Sequence, residues 1–403
     1  MGGILEGIRV IEFAALGGGP LAGLLLGDFG AEIIKIENPA GGDPSRVMYY
    51  KDERKIPPEN HSILFEFSNS HKRGMTLNLS SEKGREIAHR LIEKSDVFIS
   101  NYFPKTLKKL GLDYPTLSKI NPRLIYATSP AFGKRGPDSD KQAYDPMAMA
   151  RSGMLMAISN TDEPGSMIPG AVADMMGGTF LGFAVIAGVL ARERFGVGQE
   201  IDSSLFGPML WAQYLNISGY YSGNRLIPKV PRDNTWNPMS NTYKCRDGKW
   251  LYLVARDWPE LCRVLGLETQ EKDPRFIDEI SRTKNRRELI KILEEAFARK
   301  TRDEWIVLFK TGQANNLMYE NVNTIPDLAD DVQILANDLI LEQNHRYLGP
   351  IKILKFPFNF SKTPVAMERN PAPCLGEHTE EVLKEYGYSP EEIAQFRQNK
   401  VIG

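Results

Sequence analysis

Short apolar runs alternate with stretches of helical periodicity from Arg9 to Ala127. The runs predict strands at Arg9–Phe13, Ile33–Glu37, Gly74–Asn78, Val97–Ser100 and Leu124–Ala127. The stretches between them predict helices at Pro20–Phe29, Glu82–Lys94, Pro104–Leu110 and Tyr114–Ile120. Strand, helix and strand in this order, with short connections, imply a parallel sheet with helices on both faces. Periodicity then weakens around Gly223–Ser240, a Pro-, Asn- and Arg-rich connector. Beyond it SNTYKCRDGKWLYLVA predicts a hairpin turning at Asp247-Gly248. Helical patterns follow at Pro259–Leu265, Arg287–Ala298 and Arg302–Thr311, which makes a second, smaller α+β domain. From Tyr347 onward come a strand-like IKILKF, a Pro-rich crossing and a final helix at Thr379–Tyr386.

Two apolar segments imitate membrane signals. FAALGGGPLAGLLLG lacks a basic leading region and follows Glu6 and Glu12, so no signal peptide is expected. MMGGTFLGFAVIAGVLA, from Met175 to Ala191, is at the short limit for a span and is bracketed by Asp174 and Arg192. Its small residues at Gly178 and Gly182 suit close helix packing in a protein core, and a buried helix is expected, with no membrane partner.

Composition narrows the class. At 403 residues the chain is long enough for two domains. Lys plus Arg (50) nearly cancel Asp plus Glu (51), so the basic face of a nucleic-acid protein is not expected. Cys245, Cys262 and Cys374 are widely spaced, which suits a reducing cytoplasm. The five histidines are scattered and no metal site is expected.

Two places carry candidate chemistry. Gly17, Gly19 and Ala22 satisfy G-x-G-x-x-G/A between two strands, and Glu37 stands where an NAD-binding fold keeps its ribose carboxylate. Asp174 lies between the loop GSMIPGAVA and the long apolar helix, at or near its N-cap. Helix N–H groups there favour negative charge, and Gly177 and Gly178 open the backbone to a ligand. Capping alone is the plainer reading of Asp174, and catalysis is the other.

Several stretches then matter together: LEGIRVIEFA, GAEIIKIENP, NSHKRGMTLNL with SSEKGRE, DVFISNYFPKTLKKLGLDY, NPRLIYATSPAFGKRGP, AYDPMAMARSG, GAVADMMGG, GVGQEIDSSLF, YKCRDGKW and LGEHTEEVLKEYGY. In this order and spacing the chain resembles the class III coenzyme A transferases, the family that also includes α-methylacyl-CoA racemases. The resemblance runs from Leu5 to the C-terminus. It implies an α/β fold: a Rossmann-like large domain with a parallel sheet, a smaller α+β domain, and an interlocked dimer. It divides the chain into a CoA-binding domain (1–217, completed by 339–403), linkers at 218–240 and 315–338, and a small domain at 241–314.

The same resemblance makes coenzyme A, entering as an acyl-CoA, the bound nucleotide in place of NAD. The family's nucleophile, the Asp of A-D-x-x-G-G, falls on Asp174. A carboxylate suits thioester exchange because it both attacks and leaves. Oxyanion donors are expected from the N–H groups of Gly177 and Gly178 or of Gly17–Gly19. Cofactor contacts carried over are Gly17 and Gly18, Asn38, Lys72 and Arg73, Leu77 and Asn78, the turn Asn101-Tyr102-Phe103, and Lys109. Gln142, Ala143, Tyr144 and Asp145 match the loop over the pantetheine, and Trp236 and Met239 are the candidates for substrate contact. A solvated basic turn is the plainer reading of Lys72 and Arg73. Asn38 stands where relatives often carry Arg.

Two departures bear on subtype. Racemases carry His where this chain has Tyr144, which leaves an α-proton acid/base pair incomplete. Oxalate-specific members carry Gln where this chain has Gly17, which leaves room for a larger acyl group. The expected activity is therefore transfer of CoA from an acyl-CoA to an acid larger than oxalate, of 2-hydroxy, aryl or substituted succinic type, in anaerobic metabolism. A racemase-type isomerase and a non-catalytic CoA-binding subunit are the alternatives. The expected partner is a second copy of the chain or a related subunit.

Overall fold

The computed structural model describes residues 3–48, 62–159, 163–311, 314, 316–366 and 369–403. Asn315, where the second linker was expected to begin, lies outside them. The chain divides into two units. One takes residues 1–157, 166–225 and 338–403, and the other takes 158–165 and 226–337.

The first unit is built on six parallel strands: β1 (Arg9–Phe13), β2 (Glu32–Glu37), β3 (Arg73–Thr76), β4 (Val97–Ser100), β5 (Ile125–Thr128) and β6 (Gln199–Asp202). Their order is β3-β2-β1-β4-β5-β6. The central strands are largely apolar on both faces because both faces are covered. Ile11, Phe13, Ile34, Ile36, Phe98 and Tyr126 enter one core, against the helices Glu82–Glu93, Pro104–Leu110 and Thr379–Glu385. Val10, Ile33, Val97, Ile99, Ile125 and Ala127 enter the other, against the helices Gly18–Asp28 and Val172–Phe195. Strand order reverses between β1 and β4, the place where open parallel sheets generally form a binding crevice beyond the strand C-termini. The C-terminus closes the β3 side: Asn78 N–H donates to Val401 O (2.8 Å) and Thr76 N–H to Thr379 Oγ1 (3.0 Å).

The first helix (Gly18–Asp28) and the long helix (Val172–Phe195) meet at glycines. A Cβ at Gly178 would stand 2.7 Å from Leu21 Cβ and 2.8 Å from Gly18 O, and one at Gly182 would stand 3.0 Å from Leu25 Cδ2. The long helix is long and apolar enough to cross a membrane by length and composition. Full burial was expected, but only one face is covered. Ala173, Gly177, Gly178, Leu181, Val185 and Val189 are buried, while Met175, Phe183, Leu190 and Phe195 are exposed.

The second unit has a three-stranded antiparallel sheet, β7 (Ser240–Lys244), β8 (Trp250–Ala255) and β9 (Leu317–Val322), in that order. Gly248, at φ 80°, makes the hairpin turn. Its core gathers Tyr243, Leu251, Leu253, Leu261, Leu293, Phe297 and Trp305.

Three strands escaped the periodicity. β6 reads QEID and is at most half-buried on the sheet edge; β9 is only partly apolar; and β10 (Ile340–His345) pairs with β11 (Gly349–Leu354), the IKILKF segment, in a separate hairpin of the first unit. The helix at Thr379–Glu385 is not the last. Pro390–Gln398 follows it, started by a Ser389/Glu392 capping box whose S-P-E-E signature stands in the sequence.

The glycine contact is testable. Gly178→Ala pushes a methyl group into backbone and should cost about 2 kcal/mol of stability, the usual cost of overpacking. Denaturant titration checks it, and unchanged stability would show that the two helices are less closely seated.

Candidate active site

After β1 the chain turns through Ala14–Gly17 into the first helix, whose N-cap is Gly17. The opening N–H groups of such a helix have no partner within it. Gly18 N–H is turned onto the Asp174 carboxylate, 2.9 Å from Oδ1. A Cβ at Gly17 would overlap that carboxylate, so this position accepts no side chain while Asp174 is in place.

Asp174 itself sits in the first turn of the long helix. The N-cap is Ala171, in the left-handed region at φ 55°, and no side chain caps it. The capping role expected of Asp174 is therefore absent, because its carboxylate reaches across to the first helix. Its own N–H donates to Asp145 Oδ2 (3.0 Å), and Asp145 is buried at the start of the helix Asp145–Arg151. Burial pushes the Asp174 carboxyl up from 3.8 to about 6; the Gly18 N–H opposes the rise, and the Asp145 charge adds to it. The group is ionised at neutral pH and partly desolvated, and no cation among the described residues blunts it. That is the condition of a nucleophilic carboxylate.

Beneath the turn lies a buried cluster of three carboxylates and three cations: Glu12, Glu37, Asp43, Lys35, Arg46 and Lys72. Lys35 Nζ donates to Glu12 (3.1 Å), Asp43 (3.0 Å) and Ala14 O (2.8 Å). Burial disfavours the Lys35 ammonium, yet Asp43, Glu12 and Glu37 outweigh it and hold its pKa above the ordinary lysine value. Burial would likewise raise the Asp43 carboxyl, but Lys35 and the N–H groups of Leu16 and Ser45 hold it below its ordinary value. Arg46 grips Glu37 in a two-bond fork (2.9 and 2.7 Å). Asn101 clamps Ala15 from the side, accepting from its N–H (3.0 Å) and donating to its carbonyl (2.7 Å). Leu16 is held at φ 66°, a conformation that costs a non-glycine residue about 1 kcal/mol.

The cluster was missed in the sequence, although it left a sign. A Glu in VIEF and a Lys in EIIKIE interrupt strands that are otherwise wholly apolar, and both side chains are fully buried. Two charges facing the same core of a parallel sheet must find each other.

Other expected contacts divide. Lys72 is corrected: its ammonium is spent on Glu12 (3.0 Å), Pro20 O (2.8 Å) and Asn69 Oδ1 (2.9 Å), which leaves no donor for a phosphate. Burial pushes that amine down to about 8; Glu12 opposes the fall and Lys35 adds to it. Arg73 is likewise bound to Glu32, Glu381 and Glu385. Gly177 and Gly178 are corrected as oxyanion donors. They lie past the first turn, where N–H groups bond within the helix, and their open faces meet Leu205 and the first helix. Met239 is buried in the second unit's core, while Trp236 is exposed there.

The remaining residues lie in the first unit. Tyr102 stacks on Phe13 (centroids 4.3 Å apart), and Phe103 precedes the helix Pro104–Leu110, whose last turn carries exposed Lys109. Leu77 is buried, Asn78 is half-buried, and exposed Asn38 accepts from Ala40 N–H. Gln142 donates to the Tyr144 hydroxyl (2.6 Å), with Ala143 half-buried between them. Gly17 and Gly19 N–H groups have no hydrogen-bond partner among the described residues.

Comparison with known proteins converges on one family. Residues 5–379 match CoA-transferase family III. An (R)-2-hydroxy-4-methylpentanoate CoA-transferase of Clostridioides difficile is 32% identical over 99% of this chain and 99% of its own. A succinyl-CoA:glutarate CoA-transferase of Mus musculus is 32% identical over 94% of this chain and 86% of its own. The crystal structure of a CAIB/BAIF family protein from Brucella suis superposes with a TM-score of 0.86 at 28% identity, over 96% of this chain and all (100%) of that one.

The raised Asp174 pKa carries a stability consequence. The folded state holds this proton more tightly than the unfolded chain, so ionising the group costs stability as pH rises from about 4 through about 6. Asp174→Asn should therefore stabilise the protein at pH 7–8, by up to about 3 kcal/mol, and the gain should vanish below about pH 4. Melting curves across that range check both the sign and the window.

Proposed function

The chain belongs to CoA-transferase family III and is a CoA-transferase, and from that premise we propose that Asp174 is the nucleophile that carries CoA from an acyl-CoA to an organic acid larger than oxalate. The observation that supports this most is the Asp174 carboxylate lying against Gly17 and held by Gly18 N–H. Its oxygen attacks the donor thioester carbonyl, the C–S bond breaks, and CoA thiolate leaves a mixed anhydride. The thiolate then attacks the aspartyl carbonyl and expels the donor carboxylate, which forms an aspartyl-CoA thioester. The acceptor carboxylate attacks that thioester and releases the thiolate. Thiolate attack on the new acyl carbonyl yields the acceptor acyl-CoA and restores Asp174. No net proton is consumed, and one thioester replaces another.

Gly17 and Gly19 N–H groups are the oxyanion donors that fit this scheme, flanking in sequence the Gly18 that meets the Asp174 carboxylate and without a hydrogen-bond partner among the described residues. For the nucleotide we assign exposed Lys109, Asn78 and the Asn101–Phe103 turn, and no longer Lys72 or Arg73. A 2-hydroxy acid is the acceptor class we favour. The Clostridioides difficile relative, matched over 99% of both chains, is named for such an acid. We place the reaction in the cytoplasm, in keeping with three free cysteines. The oligomer we propose is an interlocked dimer, of identical chains or with a related subunit. The exposed Phe183, Leu190 and Phe195 of the long helix support a partner on that face.

Two outcomes test this reading. Wild type incubated with acyl-CoA and then hydroxylamine should yield a hydroxamate on Asp174, and kcat/KM should fall on an acid limb near pH 6 as the nucleophile protonates. Asp174→Ala should lose at least about 1000-fold in turnover, about 4 kcal/mol of barrier. Ordinary turnover by that variant would exclude the covalent route, and α-deuterium exchange without an acceptor acid would favour the racemase alternative. For the dimer, sedimentation at nanomolar concentration should show no folded monomer. An active monomer there would rule interlocking out.

A further inference from the structure

The turn that holds the nucleophile has no polar side chain of its own, since Ala14, Ala15, Leu16 and Gly17 can offer only backbone. Each of its first three residues is nonetheless tied down from outside. Lys35 takes the Ala14 carbonyl, Asn101 takes both polar groups of Ala15, and the Asp43 carboxylate takes the Leu16 N–H (3.0 Å). Of the three, the Asp43 tie acts where the backbone is least content, at left-handed Leu16, two residues before the N–H that meets Asp174.

Asp43 is itself over-determined. Its Oδ1 also accepts from Ser45 N–H (2.9 Å) and Ser45 Oγ (2.7 Å), its Oδ2 accepts from Lys35 (3.0 Å), and its own N–H donates to Glu37 (2.8 Å). The groups around it are therefore Lys35, Glu37 and, through those, Glu12 and Arg46; among the described residues Asp145 is the one charged neighbour of Asp174. Six charges packed this way give the turn a rigid floor. An exposed loop of the same sequence would not keep Leu16 left-handed.

We infer that Asp43, paired with Lys35, is a positioning residue for the nucleophile: through the Leu16 N–H it fixes the turn that aims Gly18 N–H at Asp174. This rests on the reading of Asp174 as nucleophile. Asp43 touches no reacting atom. Its removal should let the turn relax, weaken the Gly18 hydrogen bond, and leave the Asp174 carboxyl harder to ionise.

The test compares Asp43→Ala, Asp43→Asn and the charge-balanced pair K35M/D43A in steady-state kinetics across pH. Either alanine variant should lower kcat about 10- to 100-fold, with KM for acyl-CoA changed less than about threefold. Each should also move the acid limb upward by about half a pH unit to one unit. Asp43→Asn, which keeps an oxygen for Leu16 N–H, should recover most of the rate. A folded alanine variant with kcat within twofold of wild type and an unmoved limb overturns the inference. So does an asparagine variant as impaired as alanine. If neither alanine variant folds, Asp43 is a folding residue and the inference also fails. The wild-type hydroxamate separates this from the nucleophile itself: an adduct on Asp174 with an unmoved limb sinks only the role of Asp43, whereas no adduct sinks the covalent reading.

Discussion

The contact between Gly18 N–H and the Asp174 carboxylate sets conditions that much of the first unit satisfies. On the proposed route, a carboxylate that attacks a thioester must be ionised at neutral pH and still reactive. A cation beside it would secure the charge but lower its basicity, whereas burial alone would protonate it. One backbone donor against partial burial leaves the group near pH 6, between those extremes. Reaching that donor requires the starts of two helices to meet. They can do so only where side chains are missing, at Gly17, Gly178 and Gly182.

Rigidity beneath the turn comes from an interaction that adds little to net stability. Buried ion pairs recover by attraction roughly what desolvation costs, and an apolar core of the same volume would hold the fold as well. An apolar core could not, however, offer an acceptor to Leu16 N–H or a donor to Ala14 carbonyl. The charges at Glu12, Lys35 and Asp43 therefore exchange little stability for a defined backbone. Lys72 completes the balance on Glu12, which is why a residue that looks like a phosphate ligand is turned inward.

The chemistry asks for little beyond this. Thioester exchange between two acids is close to isoenergetic, so the proposed route needs only a nucleophile, oxyanion donors and a path for the thiolate. Relatives named for acids as different as 2-hydroxy-4-methylpentanoate and glutarate share about a third of this sequence, at 32% identity each. That spread fits a common carboxylate centre with acid specificity decided by the surrounding side chains.

Much of the fold was legible in residue order. Strands apolar on both faces demand two helical layers, and the runs at Arg9–Phe13 and Val97–Ser100 fall where the structure has them. Polar edge strands such as QEID carried no such signal, because a strand exposed at a sheet edge has no apolar period to show. Asp174 could be singled out from its place before an apolar helix, but not its partner, since Gly18 lies 156 residues away. The basic pair Lys72-Arg73 was expected to bind ligand from the family resemblance, and residue order displays charge but not what it faces. Only the packed sheet brought Lys72 onto Glu12 and Arg73 onto Glu32. Sequence alone determined the periodicity, the glycines and the candidate nucleophile, all local properties of the chain. Which charges pair, which glycines admit a helix and which N–H meets the carboxylate were decided by tertiary structure, because each depends on distances between segments that residue order does not contain.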